Sequence, residues 1–259
     1  MSEAWWDPSS ITFWSGQALV VVALLGAWLS LDETALGQTW LAQPLPAATM
    51  TAWLLGDPAV GMLIGLPFQF VTLGNLPVGQ TFLGDKASPV VGVVAAAVVT
   101  GFLEEALGGE LLQTGPGAGR VGWLLILVAL GSLASHSLVR LERTWHVHWG
   151  TRTLRLLRPG GTRPLDRVQM SSLLVTGMRG AVTSVVMFGL TMLIWQPGYG
   201  DLPDRMRLGL GLLPWLTPAI GLGALVELFG SRAGIRWLLS SFLLTLFLFW
   251  MVAWKGGAT

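Results

Sequence analysis

The segment that decides the fold spans residues 55–85 and reads LGDPAVGMLIGLPFQFVTLGNLPVGQTFLGD. It is apolar enough to lie at bilayer depth, yet it contains six glycines and three prolines. Backbone broken this often cannot face lipid, because each unsatisfied amide in hydrocarbon costs several kcal/mol. Broken helix at that depth survives only inside protein or around a polar cavity. The segment therefore predicts a protein-lined polar site within a membrane.

The polar side chains of this segment are few and are spaced along it: Asp57, Gln69, Thr72, Asn75, Gln80, Thr81 and Asp85. The amides of Gln69 and Asn75 both donate and accept hydrogen bonds, and the carboxylates of Asp57 and Asp85 are strong acceptors. Such groups suit a neutral, hydroxyl-rich solute. The alternative is a loop between two ordinary helices, although the apolar runs between the glycines are unlike a solvated loop.

The composition of the whole chain indicates a multi-pass integral membrane protein. Of its 259 residues, 53% are hydrophobic and only 11% are charged, whereas soluble proteins carry about 25% charged residues. The length allows roughly six to eight membrane segments. No basic patch interleaved with aromatic residues suggests nucleic-acid binding. The absence of cysteine excludes disulfides, thiolate metal sites and cysteine nucleophiles.

On the N-terminal side of the opening segment, residues 11–31 hold no charge and are predicted to be the first span. This run ends at Asp32 and Glu33. We interpret residues 34–85 as a re-entrant and broken-helix region, because the apolar run at 47–55 is too short to cross a bilayer. The first ten residues lack a positive n-region, so no cleaved signal peptide is expected.

On the C-terminal side, the pattern predicts a small-residue helix suited to close packing. It also predicts one span before a basic connection and three spans after it. Seven of the fifteen basic residues lie between residues 140 and 167, which predicts a cytoplasmic Arg-rich loop there. The small-residue helix is predicted at 88–103 and the next span at 121–138. The C-terminal spans within 168–254 are predicted at 168–195, 208–229 and 237–254. Residues 1–259 form a single membrane domain in this interpretation.

Arg179 lies about eleven residues into the apolar run that begins at residue 168. An arginine at such a depth is costly unless it faces a partner or a cavity. We therefore predict a structural ion pair between Arg179 and Glu227, with Asp32 and Glu33 as alternative partners.

Motifs of soluble enzymes are missing from the sequence. The rings of His146 and His148 stand at i and i+2, which do not share a helical face, so no metal site is expected. The glycine-rich run at 115–120 lacks the preceding strand and the Lys-Ser/Thr ending of a phosphate loop. No nucleophile elbow, zinc-peptidase motif or dinucleotide fingerprint is present. The sequence therefore predicts no catalytic residue and no cofactor.

Several short motifs occur in a characteristic order: Leu31-Asp32-Glu33, Gln43-Pro44-Leu45, Gly56-Asp57, a G-x-x-x-G helix at Gly61 to Gly65, Gln69, Leu73-Gly74, Val78-Gly79 and Asp85. This order resembles the membrane IIC component of the mannose/fructose/sorbose class of the bacterial sugar phosphotransferase system. The comparable run there is an L-D-(E/G) turn, an R-P-L half-helix, G-D, a G-x-T-L-E-like segment, L-G, I-G-A and P-D. Residues 165–185, with Arg179, resemble a second block of that family.

The resemblance covers most of the chain and implies an all-α permease subunit with re-entrant hairpins in the bacterial inner membrane. It implies a trimer, a core region that moves against a scaffold, and a second membrane component, IID. It also implies soluble IIA and IIB proteins that pass phosphate from phosphoenolpyruvate to the incoming sugar. Together with the polar pattern, it makes the following residues the candidate sugar contacts: Asp32, Glu33, Asp57, Gln69, Asn75 and Asp85.

Three positions depart from the family pattern. Gln69 replaces a glutamate, Gln43 replaces the arginine before Pro-Leu, and Pro77 replaces an asparagine. These changes remove charge and hydrogen-bonding groups where the sugar is expected. They leave open a repurposed, non-transporting subunit with a structural or regulatory role in a larger complex. An uncoupled facilitator or small-molecule channel is a third interpretation.

Overall fold

A computed structural model describes residues 8–34, 39–73, 85–101, 116–156, 163–229 and 240, except for the side chains of residues 8–15, 33–34, 116–117, 154, 156, 163–165, 195–197 and 227–229. All regular structure in these ranges is helical, which confirms the predicted all-α class. The helices are α1 Pro8–Thr34, α2 Pro44–Leu54, α3 Pro58–Thr72, α4 Ala87–Val99, α5 Pro116–Leu156, α6 Arg163–Gly200 and α7 Asp204–Phe229.

Three of these helices are long and apolar enough to cross a membrane, namely α5, α6 and α7. Their qualifying segments are Ala118–Thr153, Asp166–Ile194 and Asp204–Val226. Shorter apolar stretches lie in α1, α3 and α4. The spans predicted at 121–138, 168–195 and 208–229 lie within or almost within these long helices. The span predicted at 237–254 lies outside the described residues, apart from residue 240.

Helix α4 is the centre of the fold. Each of its eleven residues from Ala87 to Ala97 is buried, and it contacts α1, α2, α3, α5 and α6. Its sequence of valines, alanines and one glycine gives it a thin, smooth surface, which lets neighbouring backbones approach closely. The small-residue helix predicted at 88–103 is thereby confirmed, although the regular helix ends at Val99 and Gly101 follows with φ +61°.

Helix α6 crosses α1 and α4 at glycine contacts that leave no room for a side chain. A Cβ atom at Gly180 would lie 2.2 Å from the carbonyl oxygen of Gly26. One at Gly92 would lie 2.4 Å from the carbonyl oxygen of Ser184. These crossings bring the ends of α1 and α4 beside the middle of α6, where Arg179 lies.

Helices α2 and α3 form a hairpin that packs on α4 and α7. The turn between them contains Gly56 at φ +98°, a left-handed conformation that favours glycine. The helices have 11 and 15 residues, so they measure about 17 and 22 Å, less than the roughly 30 Å of hydrocarbon. Neither crosses a bilayer alone, as expected for the half-helices of the interpretation above.

One sequence prediction needs correction and another becomes more specific. Within the predicted broken-helix region 34–85, the break lies at the turn of residues 55–57, and residues 58–72 form one continuous helix that contains Pro67. The glycines do not interrupt it, because they serve packing: a Cβ at Gly61 would lie 2.5 Å from the Ala48 carbonyl oxygen of α2.

The loop predicted at 140–167 is helical as far as Leu156. Arginine is a good helix former. The arginines after residue 138 therefore indicate that the helix has left its apolar surroundings, and they do not indicate that the helix ends. The cytoplasmic location of this region stays a prediction.

Candidate functional site

The buried side chain of Arg179 joins four parts of the fold. Its Nε donates to Glu142 Oε2 of α5 at 2.5 Å, and Nη1 donates to the Asp85 carboxylate just before α4. Nη2 donates to Ser30 Oγ of α1 at 2.7 Å. Only 5% of the arginine side chain is exposed. Arg179 therefore ties α1, α4 and α5 to its own helix, α6.

Asp85 is fully buried and holds the first turn of α4. Its Oδ1 accepts from the Ser88 backbone N–H at 2.9 Å and Oδ2 accepts from Ser88 Oγ at 2.6 Å. Its backbone carbonyl accepts from Ser135 Oγ of α5 at 3.0 Å. Side-chain acceptors at this position satisfy amides that a helix start leaves unpaired. The charge and the cap together fix Asp85 in place.

Glu142 extends the cluster along the contact between α5 and α6. Its Oε1 accepts a hydrogen bond from Thr176 Oγ1, and the Thr176 carbonyl accepts from Ser30 Oγ at 3.0 Å. One helical turn further, His146 Nε2 lies 2.9 Å from Ser172 Oγ and 3.9 Å from Glu142 Oε1. We call Ser30, Asp85, Glu142, Thr176 and Arg179 the arginine cluster.

The arginine cluster shares one positive charge between two carboxylates. Buried ion pairs of this kind contribute little net stability, but removing one partner costs about 3–5 kcal/mol because the other charge is left unpaired. The cluster therefore links four helices through contacts that are costly to break one partner at a time.

A second, neutral polar contact lies in the α2–α3 hairpin. Gln69 Oε1 accepts from the Leu45 backbone N–H at 3.2 Å, one of the amides that the start of α2 leaves unpaired. Gln69 Nε2 donates to Gln43 Oε1 at 3.5 Å. We call Gln43 and Gln69 the glutamine pair. It holds the end of α3 beside the start of α2 with long bonds between uncharged groups.

Two other predicted residues, Asp57 and Asp32, accept hydrogen bonds from nearby backbone N–H groups. Asp57 caps α3, because its Oδ1 accepts from the N–H groups of Ala59 and Val60 at 3.2 and 3.4 Å. Asp32 Oδ1 accepts from the backbone N–H and the hydroxyl of Thr39 at 3.0 and 2.8 Å. Its Oδ2 accepts from the Ala42 N–H at 3.3 Å, so it orders the approach to α2.

The six predicted sugar contacts do not form one group. Asp57 and Gln69 stand near opposite ends of α3, about 18 Å apart along its axis. Asp85 belongs to the arginine cluster, while Gln69 belongs to the glutamine pair. Asn75 lies outside the described residues, and the same holds for the side chain of Glu33.

Among the described side chains, Arg179 forms ion pairs with two residues that the sequence analysis did not name as its partners, and its predicted pair with Glu227 stays a prediction. The prediction named Glu227, whose side chain lies outside the described residues, with Asp32 and Glu33 as alternatives. The partners in the structure are Asp85 and Glu142. Glu142 was assigned to the basic loop and was missed as a partner. The signal for it was an acid among arginines, one turn beyond the apolar run that ends at Leu138.

Among the described residues, no group of three or more His, Cys, Asp and Glu side chains is placed to hold a metal ion. The groups that do meet are amides, hydroxyls and paired charges. They are suited to hydrogen bonding and to fixing helices.

Comparison with known proteins gives consistent results. The family model for the sorbose-specific IIC component of the phosphotransferase system matches residues 15–254. The fructose permease IIC component of Bacillus subtilis (strain 168) is 22% identical over 210 residues, which cover 81% of this chain and 70% of the relative.

Two solved structures share the fold. One, described as a membrane protein, matches with a TM-score of 0.63 at 18% identity over 89% of this chain and 87% of its own. The other is the mannose transporter ManYZ in complex with microcin E492, with a TM-score of 0.51 at 19% identity over 90% of this chain and 87% of its own. Since the family model spans nearly the whole chain, the protein belongs to the sorbose-specific IIC component family of the phosphotransferase system and is a membrane sugar-permease component.

Proposed function

We propose that the sugar path of this permease component passes the α2–α3 hairpin, with the glutamine pair as its central contact. The observation that carries this proposal is the Gln69 carboxamide, which joins two half-length helices through bonds of 3.2 and 3.5 Å. The first bond lies at the long end of the normal range for N–H···O hydrogen bonds, and the second is longer than that range, so both are weak. A sugar hydroxyl, which both donates and accepts, can replace them at little cost.

The other predicted contacts take different parts in this proposal. Asn75 follows the end of α3 by three residues, so it is proposed as a further contact beside Gln69. Asp85, Asp32 and Glu33 are proposed to shape the wall of the path. Asp57, at the far end of α3, is proposed to meet the sugar at another stage of its passage.

The contact between Gln43 and Gln69 bears on the alternative of a non-transporting subunit. The two positions depart from the family pattern together and touch each other, so the loss of an arginine and a glutamate leaves no unpaired charge. A paired change of this kind supports a site that keeps its shape and takes a different neutral sugar. Membership in a permease family favours transport in the same way.

The partners follow from the family and are part of the proposal. We infer a IID-type membrane subunit, a trimeric assembly, and soluble IIA and IIB proteins that phosphorylate the sugar at the cytoplasmic mouth. We also infer a bacterial inner-membrane location. This chain then supplies binding and passage, while the phosphoryl chemistry takes place on IIB.

The test is sugar binding to the purified complex of this chain with its membrane partner, using a panel of labelled neutral sugars. Gln69→Ala is expected to weaken binding of the preferred sugar about tenfold, because two hydrogen bonds of about 0.5–1.5 kcal/mol each are lost. Gln43→Ala should weaken it less. Gln169→Ala, which removes an exposed glutamine on α6, is the matched control. Unchanged affinity in both hairpin variants would remove the glutamine pair from the sugar path.

A further inference from the structure

Trp40 has a backbone conformation that its side chain disfavours. Its φ is +69°, and among the described residues it is the only non-glycine residue with a positive φ. A bulky residue rarely adopts this region, because its Cβ crowds the backbone. Such a conformation persists only where the surrounding structure imposes it, and it is found most often at functional sites. Trp40 is therefore a candidate for a functional role.

The carboxylate of Asp32 imposes this conformation from both sides of Trp40. Asp32 is buried, with 3% of its surface exposed. Its Oδ1 accepts from the backbone N–H and the hydroxyl of Thr39, and its Oδ2 accepts from the backbone N–H of Ala42. The residue before Trp40 and the second residue after it are thus bound to one buried group. Asp32, one of the predicted sugar contacts, therefore acts on Trp40 through the backbone.

A turn joins Trp40 to the glutamine pair. The Trp40 carbonyl accepts from the Gln43 backbone N–H at 3.0 Å, so residues 40–43 form a turn whose ends lie within about 7 Å of each other. The side chain of Gln43 contacts Gln69 in turn. A solute that meets the amides of the pair therefore lies within reach of Trp40.

Most of the surface of Trp40 is open, since the residue is 69% exposed. Exposed tryptophans also serve as anchors at membrane interfaces, but an anchor needs no strained backbone. Trp53 illustrates this, because it is 66% exposed within the regular helix α2. The positive φ and the buried acid that maintains it distinguish Trp40 from such an anchor.

We propose that Trp40 is the aromatic contact of the sugar site and selects ring sugars over open-chain polyols. This inference rests on the sugar path proposed above at the glutamine pair. The amides of the pair recognise hydroxyl groups, which ring sugars and open-chain polyols both carry. The C–H groups of a sugar ring form an apolar face, which packs against the negative face of an indole. An open-chain polyol has no fixed face of this kind, so Trp40 supplies a discrimination that the amides do not.

Competition binding to the purified complex of this chain with its membrane partner tests the inference. The labelled sugar that the panel identifies as preferred is displaced by the same unlabelled sugar or by the open-chain polyol of equal carbon number. The wild-type complex is expected to bind the ring sugar at least about tenfold more tightly than the polyol. A factor of ten corresponds to about 1.4 kcal/mol, the size of an aromatic contact.

Substitutions of Trp40 should remove this preference. Trp40→Ala is expected to weaken binding of the ring sugar about tenfold and to leave binding of the polyol unchanged, whereas Trp40→Phe keeps an aromatic face and should retain most of the preference. Trp53→Ala removes an equally exposed tryptophan and should behave like the wild-type protein. Equal binding of the ring sugar and the polyol by the wild-type complex overturns the inference. The same holds for a preference that survives Trp40→Ala, or for an equal loss in Trp53→Ala.

Trp40→Gly separates a binding role from a structural one. Glycine adopts a positive φ without strain, so this variant should unfold at a higher temperature than Trp40→Ala while it binds the ring sugar equally weakly. Thermal unfolding in detergent measures the first quantity, and the competition assay measures the second. A lower unfolding temperature with unchanged sugar affinity is the result expected of a purely structural tryptophan, and it overturns the inference.

The same assay distinguishes a failure of this inference from a failure of the proposed sugar path. If Gln43→Ala and Gln69→Ala weaken binding and Trp40→Ala does not, the glutamine pair remains in the path and Trp40 is not a contact. If only Trp40→Ala weakens binding, Trp40 is a contact and the glutamine pair is not in the path.

Discussion

The arginine cluster and the glutamine pair are both buried or half-buried polar contacts between helices, but they are built in opposite ways. In the cluster, a guanidinium meets two carboxylates, and neighbouring hydroxyls occupy further positions. In the pair, neutral amides meet at the long end of hydrogen-bond distance. A buried ion pair is costly to break, because one charge is left unpaired. A neutral hydrogen bond is readily replaced by a hydrogen bond to another group. The cluster is therefore suited to hold helices in place, and the weak bonds of the glutamine pair suit the sugar contact proposed above.

The largest expected effect comes from removing the charge at the centre of the cluster. Arg179→Met leaves Asp85 and Glu142 without their shared partner, and we expect a loss of about 3–5 kcal/mol in the free energy of unfolding. Thermal unfolding in detergent measures the change. Arg167→Met, which removes an exposed arginine from the same helix, is the control. If both variants unfold like the wild-type protein, the cluster does not hold these helices together.

A smaller effect is expected from the glycine crossing that brings the cluster together. Gly180→Ala places a Cβ atom 2.2 Å from the Gly26 carbonyl oxygen, and overpacking of this kind costs about 1–3 kcal/mol. Gly189→Ala is the control on the same helix, because its Cβ position has no atom within 4 Å apart from its chain neighbours and the adjacent backbone of its own helix. The same unfolding assay should separate the two alanines. Equal stability would show that α1 and α6 can move apart without loss.

The smallest effect is expected in the hairpin, where charged side chains replace the uncharged side chains of the glutamine pair. Gln43→Arg and Gln69→Glu each introduce one charge beside an amide, whereas the double variant restores an ion pair. We expect a favourable coupling of about 1 kcal/mol in a double-mutant cycle of unfolding, since interacting neighbours couple by roughly 0.5–3 kcal/mol. The double variant should also change the order of preference among the sugars of the binding panel. Additive effects on stability would show that the two side chains do not interact.

The sequence led to some of these residues and missed others for identifiable reasons. Gln69 was found because a polar residue in a glycine-rich apolar segment is unusual. Arg179 was found because an arginine is costly in an apolar helix. Glu142 was missed, because the surrounding arginines suggested a solvated loop. Its role depends on α5 continuing as a helix past the apolar run. Hydropathy does not predict this, because it indicates the surroundings of a helix and not the residue at which the helix ends.

The sequence by itself determined the helical membrane class, the family and the approximate positions of the three long apolar helices α5, α6 and α7. All of these depend on local composition, periodicity and the order of short motifs, which the chain carries without reference to distant contacts. Only the tertiary structure decided which charges meet. Arg179 is separated from Asp85 by 94 positions and from Glu142 by 37, and the glycine crossings of α6 bring these groups together. Long-range pairing depends on how helix surfaces fit, and a single sequence does not display that fit.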